Sequence, residues 1–199
     1  MTALSDHWNL IILGAVVVAL YFWYISLVGR RNKVKEALAG IDVQLTKRHD
    51  LIPNILTIAQ NFMSHETEIF SRITELRTQA TQQRTDAGDP DKLHERLQTE
   101  AELQGAMHQL MVNVENYPAL KSDTTMLQAQ QTYNEVEEHI AAARRFYNSA
   151  VNDLNNAAQV FPGNLIAAAT GIKPYPYYEA EEGARAPVNA ADYLKQAAS

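Results

Sequence analysis

The sequence contains no cysteine, and its 199 residues include only 8 glycines and 7 prolines. Missing thiols exclude disulfides, thiolate metal sites and cysteine nucleophiles, and fit a cytosolic or a periplasmic setting equally well. The shortage of glycine and proline argues against a succession of short strands and tight turns, so long helices are the expected elements. Positive charge is scarce too: 17 Lys and Arg stand against 23 Asp and Glu, a net charge of -6. Such a balance gives no general attraction to a phosphate backbone and sets nucleic acid aside as a partner. Catalytic patterns are equally thin, with no His-Glu-x-x-His pair, no glycine-rich phosphate loop and no serine in a nucleophile elbow. His65-Glu66 and Glu138-His139 are adjacent pairs whose members cannot share a helix face, so the paired Glu-x-x-His pattern of a di-iron bundle is not met. His94 and His108 read as surface residues. No enzyme, metal site or cofactor is expected.

What the chain does have begins with an uncharged apolar run, Leu10 to Val28. As a helix its roughly 19 residues span about 29 Å, close to the hydrocarbon thickness of a bilayer. Each Leu, Ile, Val or Phe in it favours insertion by about 0.3–0.6 kcal/mol, with no central charge to oppose the sum. A cleaved signal peptide fits poorly, because Asp6 precedes the run without any Lys or Arg and no small-residue cleavage site follows it. The run is read as a single-pass anchor. Arg30, Arg31, Lys33 and Lys35 crowd its C-terminal flank, which places the bulk of the chain in the cytoplasm and the short N-terminus outside. Trp8 at one end and Tyr21, Trp23 and Tyr24 toward the other suit headgroup level, and the basic cluster suits anionic lipid.

Beyond the anchor, Val34, Leu38, Ile41, Leu45, Ile52, Leu56, Ala59 and Met63 recur at three, four or seven residues, one face of a helix that continues out of the bilayer. Pro53 interrupts it by clashing with the carbonyl of His49 and removing one backbone donor, so the helix either bends there or restarts with Asp50 as N-cap. A second run, Ile69 or Phe70, Ile73, Leu76 and Ala80, follows a possible turn and N-cap at Ser64. The stretch after Arg84 reads as a loop, with Asp89-Pro90 opening a third helix whose stripe is Leu93, Leu97, Leu103, Met107, Leu110 and Val114, ended by Asn116-Tyr117-Pro118. The last long stripe runs through Met126, Ala129, Tyr133, Val136, Ile140, Ala143, Tyr147, Ala150, Leu154, Ala157 and Phe161 in coiled-coil-like steps. Ser122 or Asp123 caps it and Pro162-Gly163 stops it. Asn164 to Gly171 forms two turns with a glycine C-cap, and an irregular tail or docking arm follows.

The polar residues beside these stripes are Asp42, Arg48, Asp50 and Asn54 on the first helix, and Arg144, Arg145, Asn148, Asn152 and Asn155 on the last. If the two helices pack, Asp42 or Asp50 pairs with Arg144 or Arg145 and fixes register, with Pro53 as the bend; alternatively these groups face a second subunit.

Taken together, Asp42-Val-Gln-Leu-Thr-Lys-Arg-His-Asp-Leu-Ile-Pro-Asn54, Ala143-Arg-Arg-Phe-Tyr-Asn-Ser-Ala-Val-Asn152 and Phe161-Pro-Gly-Asn-Leu-Ile-Ala167 resemble the LemA family. The anchor, the Arg77 region, Val114-Glu-Asn-Tyr-Pro118, Lys173-Pro and Glu181-Glu-Gly-Ala-Arg185 stand in the same order. The resemblance implies an all-α protein of the bacterial inner membrane with one spanning helix and an up-and-down cytoplasmic bundle of three or four helices, four favoured. It also implies a place more than a chemistry: one branch is associated with formation of magnetosome membranes, and others with envelope organisation. The expected layout is an outside N-terminus (1–9), a span (10–29), a bundle (30–171) and a tail or arm (172–199). With four helices the last one returns to the bilayer, putting Leu165, Ile166, Tyr175, Tyr177 and Tyr178 near headgroups. The expected role is a membrane scaffold that self-associates through a face around Val34, Leu38 and Ile41 left uncovered by its own bundle. The competitors are an adaptor for another integral membrane protein, such as a membrane protease or signalling protein, and a metal- or ligand-binding bundle.

Overall fold

The structure, a computed structural model, describes residues 2–83 and 90–178. The loop expected before Pro90, with Asp89 as its cap, and the tail from Glu179 onward lie outside the described residues. Within them the chain is all-α, in six helices: α1 Thr2–Gln60, α2 Thr67–Gln82, α3 Pro90–Val114, α4 Pro118–Lys121, α5 Thr124–Gln159 and α6 Gly163–Thr170.

At 59 residues, α1 is by far the longest element, and at 1.5 Å per residue it measures about 88 Å. Among the described residues it is the one helix long and apolar enough to cross a membrane. Residues 8–26 are exposed without exception, and burial begins at Leu27. A core helix of a water-soluble domain would bury such a stretch, so its exposure fits lipid as the solvent. Past Leu27 the expected stripe is buried from Val34 through Met63 at the predicted positions.

α1 continues as α-helix through Pro53, so the restart at Asp50 does not occur. The reason lies on α2. The carbonyl of His49 is the one that the missing N–H of Pro53 would have satisfied, and Arg77 Nε donates to it at 2.7 Å. A side chain from the neighbouring helix replaces the lost backbone donor.

The chain turns after Gln60, as the Ser64 reading required, although α2 begins at Thr67 and Ser64 caps nothing. Asp123 does cap α5, accepting from the Met126 amide at 2.9 Å. α4, a single turn opened by Pro118 at the far tip, has no counterpart in the sequence reading. Gly171 closes α6 in the left-handed conformation, φ 68°, which a side chain would strain.

Cross-helix contacts give the topology. Arg30 bonds the Asp153 carbonyl and Arg48 meets Glu137, so α1 and α5 run antiparallel. Arg72 meets Glu102 and Gln83 meets Glu95, so α2 and α3 do likewise. Asp42 with Arg96 and Arg48 with Glu100 place α3 parallel to α1. The bundle is therefore up-down-up-down, and α5 returns to the membrane end. Four long helices, the favoured reading, are present.

The core divides in two. A distal cluster from Ile52 through Met63 on α1 joins Ile69 to Leu76 on α2, Leu103 to Val114 on α3, Leu120, Met126 and Tyr133. A membrane-proximal cluster joins Leu27 to Leu45 on α1 with Leu93, Leu97, Val136 to Leu154, Ala167, Ile172, Tyr175 and Tyr178. Val34, Leu38 and Ile41 are buried in this second cluster. That overturns the expectation of an uncovered face there: α5, α6 and the C-terminal segment cover it.

Candidate functional site

Between the two apolar clusters lies a layer of charge. Arg48 on α1, with 0% exposure, is clamped by Glu100 Oε2 and the Glu100 carbonyl of α3, the latter at 3.2 Å, and by Glu137 Oε1 of α5 at 3.2 Å. His49 Nε2 lies 3.1 Å from the same Glu100 oxygen. One helical turn toward the membrane, Arg96 of α3 pairs with Asp42 of α1 at 2.5 Å. With Arg77 on the His49 carbonyl, three guanidinium groups balance the carboxylates of Asp42, Glu100 and Glu137.

Burial alone would raise the Glu100 carboxyl, but the His49 hydrogen bond and the Arg48 charge outweigh it and hold that carboxyl below the usual carboxylate range. Burial likewise opposes the Arg48 charge, and the two glutamates more than compensate, so its pKa is raised. Such a layer does little for net stability, because desolvating the ions offsets most of their attraction. It does fix which helices pair and in what register, since a slip of one turn would bury uncompensated charge.

A second polar arrangement binds the segment after α6. Asn148 donates to the Tyr178 carbonyl at 3.0 Å and accepts from its amide at 2.9 Å; Asn155 does the same with Tyr175, at 3.0 Å both ways. Tyr177 donates to Asn152 Oδ1 at 3.3 Å and Tyr147 donates to the Pro176 carbonyl at 2.7 Å. Asn148, Asn152 and Asn155 fall on one face of α5 by their spacing. Each bidentate amide acts as a neighbouring strand would, pairing both backbone groups of a tyrosine. Over its described residues the arm thus runs from the membrane end back along α5 to the Tyr178 ring, 5.6 Å from the Arg144 guanidinium. Burial pushes the Tyr178 hydroxyl up to about 12.

Several expected pairings are therefore corrected. Asp42 pairs with Arg96, not with Arg144 or Arg145. Asp50 and Asn54 are exposed, and Arg145 is exposed as well. The asparagines hold the arm, not α1. The arm docks on its own chain, and Tyr175 and Tyr178 are buried in the bundle instead of lying at headgroup level. Phe161, expected in the α5 stripe, is 73% exposed because the helix ends at Gln159.

Glu100, Glu137 and Arg96 escaped the sequence reading. A signal for the first was present: the α3 stripe steps from Leu97 to Leu103 and skips the core position that Glu100 fills, as the α1 stripe skips Arg48 between Leu45 and Ile52. Two gaps in facing stripes mark a buried pair.

At the membrane end, Trp8, Tyr21, Trp23 and Tyr24 are exposed on α1, followed by half-buried Arg30 and Arg31 and exposed Lys33 and Lys35. A Cβ on Gly163 would fall on the Ala157 carbonyl oxygen and lie 2.8 Å from the indole nitrogen of Trp23. The α5–α6 corner is thus packed against the span itself, and only glycine fits there. Among the described residues no group of three or more His, Asp and Glu side chains is placed to hold a metal ion.

Residues 37–191 match the LemA family. The chain is 24% identical to magnetosome protein MamQ 2 of Paramagnetospirillum magneticum, with 87% of this chain and 71% of that protein covered. It is 23% identical to magnetosome protein MamQ of Magnetospirillum gryphiswaldense, with 88% and 72% covered. It is 22% identical to protein LemA of Metamycoplasma hominis, with 88% and 81% covered. These likenesses and the candidate span fit a membrane localisation.

Proposed function

The chain belongs to the LemA family, and on that premise we propose that it is a non-enzymatic scaffold of the bacterial inner membrane that organises or reshapes the bilayer from its cytoplasmic side. The observation that carries this reading is the continuity of α1. One helix passes from an exposed apolar stretch into the bundle without interruption, and the α5–α6 corner braces it at Trp23. A bundle held this way transmits orientation between bilayer and cytoplasm, which a flexible tether cannot do. Likeness to two proteins named for the magnetosome supports a role at a membrane.

The orientation follows from Arg30, Arg31, Lys33 and Lys35 on the bundle side of the span. Copies of the chain associate, in this proposal, through surfaces other than the Val34 face, which the chain itself covers. The span is exposed over residues 8–22, and Val43 is a large apolar side chain left exposed on α1.

The test is reconstitution of the full chain into phosphatidylethanolamine and phosphatidylglycerol vesicles, followed by electron cryo-imaging. Clustered particles with altered vesicle curvature are the expected result. Isolated single particles in unaltered vesicles, together with a different integral membrane protein co-purifying from native membranes, would favour an adaptor and sink the scaffold.

A further inference from the structure

We infer that the corner between α5 and α6 is itself a lipid-contact site, seated in the near leaflet of the bilayer beside the span. The uncovered stretch of α1 runs over residues 8–26, and as a helix it spans about 28 Å, roughly the hydrocarbon thickness, so crossing uses all of it. Trp23 lies three residues inside the end of that stretch. Gly163, the first residue of α6, packs against the Trp23 indole. The corner therefore lies at a depth the span needs for crossing, not beyond it.

Its chemistry agrees with that depth. No charged residue occurs from Leu154 to Ile172. Phe161 is 73% exposed, Leu165 60% and Val160 59%, while Ala167 turns inward to the proximal core. Three large apolar side chains thus surround a point pinned to the anchor, with Arg30, Arg31, Lys33 and Lys35 on the cytoplasmic side of it along α1. An uncharged apolar surface with cations just above it is the arrangement that settles at the boundary between headgroups and acyl chains. The basic residues meet anionic headgroups while the corner displaces acyl volume.

The inference rests on the anchor reading given above and deepens the remodelling proposal. Side chains inserted on one side of a bilayer expand one leaflet only. The span alone, passing through both, creates no such imbalance.

The native chain has no cysteine, so single cysteines can carry a nitroxide without background. The variants are Val17→Cys in the span, Phe161→Cys and Leu165→Cys in the corner, and Phe146→Cys on the exposed mid-bundle surface. Each is made in the full chain and reconstituted into vesicles of phosphatidylethanolamine and phosphatidylglycerol. Power-saturation paramagnetic resonance then compares collisions with oxygen, which concentrates in lipid, and with a water-soluble nickel chelate. Labels at 161 and 165 should resemble that at 17, with nickel collisions several-fold below those at 146. If 161 and 165 match 146 while 17 remains in lipid, the corner inference is overturned and the anchor stands. If 17 itself collides freely with nickel, the anchor reading falls and the corner with it. Because all four positions are exposed to solvent or lipid, the substitutions leave the packed core intact.

Discussion

The distal and membrane-proximal halves of the bundle bury similar side chains but are closed by different means. In the distal half all four long helices contribute, and Ile52, Ile55, Ile73, Leu103 and Leu110 meet in a shared apolar interior. In the proximal half no described residue of α2 reaches the core, and α6 and the arm fill in beside α1, α3 and α5. The distal half is held mainly by apolar packing, with Arg72–Glu102 and Tyr117–Glu66 at its surface. The proximal half adds asparagine-to-backbone bonds that fasten a nonhelical segment. A segment fastened in this way, outside any helix over residues 172–178, can open locally without the bundle unfolding. The difference teaches that the membrane end is the adjustable one, and the charged layer at Arg48 is the boundary between the two halves.

The largest effect should come from that boundary. Arg48→Met leaves Glu100 and Glu137 without their counter-charge and should cost about 3–5 kcal/mol, read by urea unfolding of the detergent-solubilised chain. A cost no greater than that of the surface change Phe146→Ala would mean that the layer does not join the halves.

Next comes the distal core alone. Ile73→Ala removes a fully buried side chain and should cost about 2–5 kcal/mol, seen as faster amide exchange throughout α2 and α3. Arm amides at Tyr175 and Tyr178 should keep their local opening rate, and a matching acceleration there would merge the two halves into one unit.

Asn155→Ala should do the reverse. It removes both bonds to the Tyr175 backbone, about 1–3 kcal/mol for buried partners left unsatisfied. Exchange at Tyr175 should accelerate while α2 and α3 remain as protected as before.

pH separates the central layer from the arm by sign. Glu100 is held below its ordinary value of 4.5, so its contribution is complete above that value and is lost as pH falls through its lower folded value. Tyr178 is raised from 10.0 to about 12, so its contribution is complete below pH 10 and is lost between there and about 12. Acid should loosen the central layer first and alkali the arm first, as resolved by exchange or tyrosine absorbance. The smallest effect is expected for Arg144→Gln, about 0.5–1 kcal/mol from the cation over the Tyr178 ring.

Much of this architecture is legible in the residues. Helical periodicity marks the four long stripes and their buried positions, and an uncharged apolar run marks the candidate span, because both depend only on local spacing. Partner choice is not local. Asp42 was as free on paper to meet Arg144 as Arg96, and nothing in the periodicity distinguishes a cation on α5 from one on α3. The asparagines of α5 were visible as unusual, but their partners are backbone groups of the arm, which carry no residue signature. Pro53 marked the orphaned His49 carbonyl correctly; that Arg77 answers it depends on how α2 folds back.

The central claim is that α1 joins span and bundle as one rigid body. It is tested most directly by the distance between nitroxides at Val17→Cys and Glu36→Cys in the full chain reconstituted into lipid nanodiscs. An unbroken helix predicts one narrow population at about 28 Å. A broad or multiple distribution would place a joint around Gly29 and contradict the account.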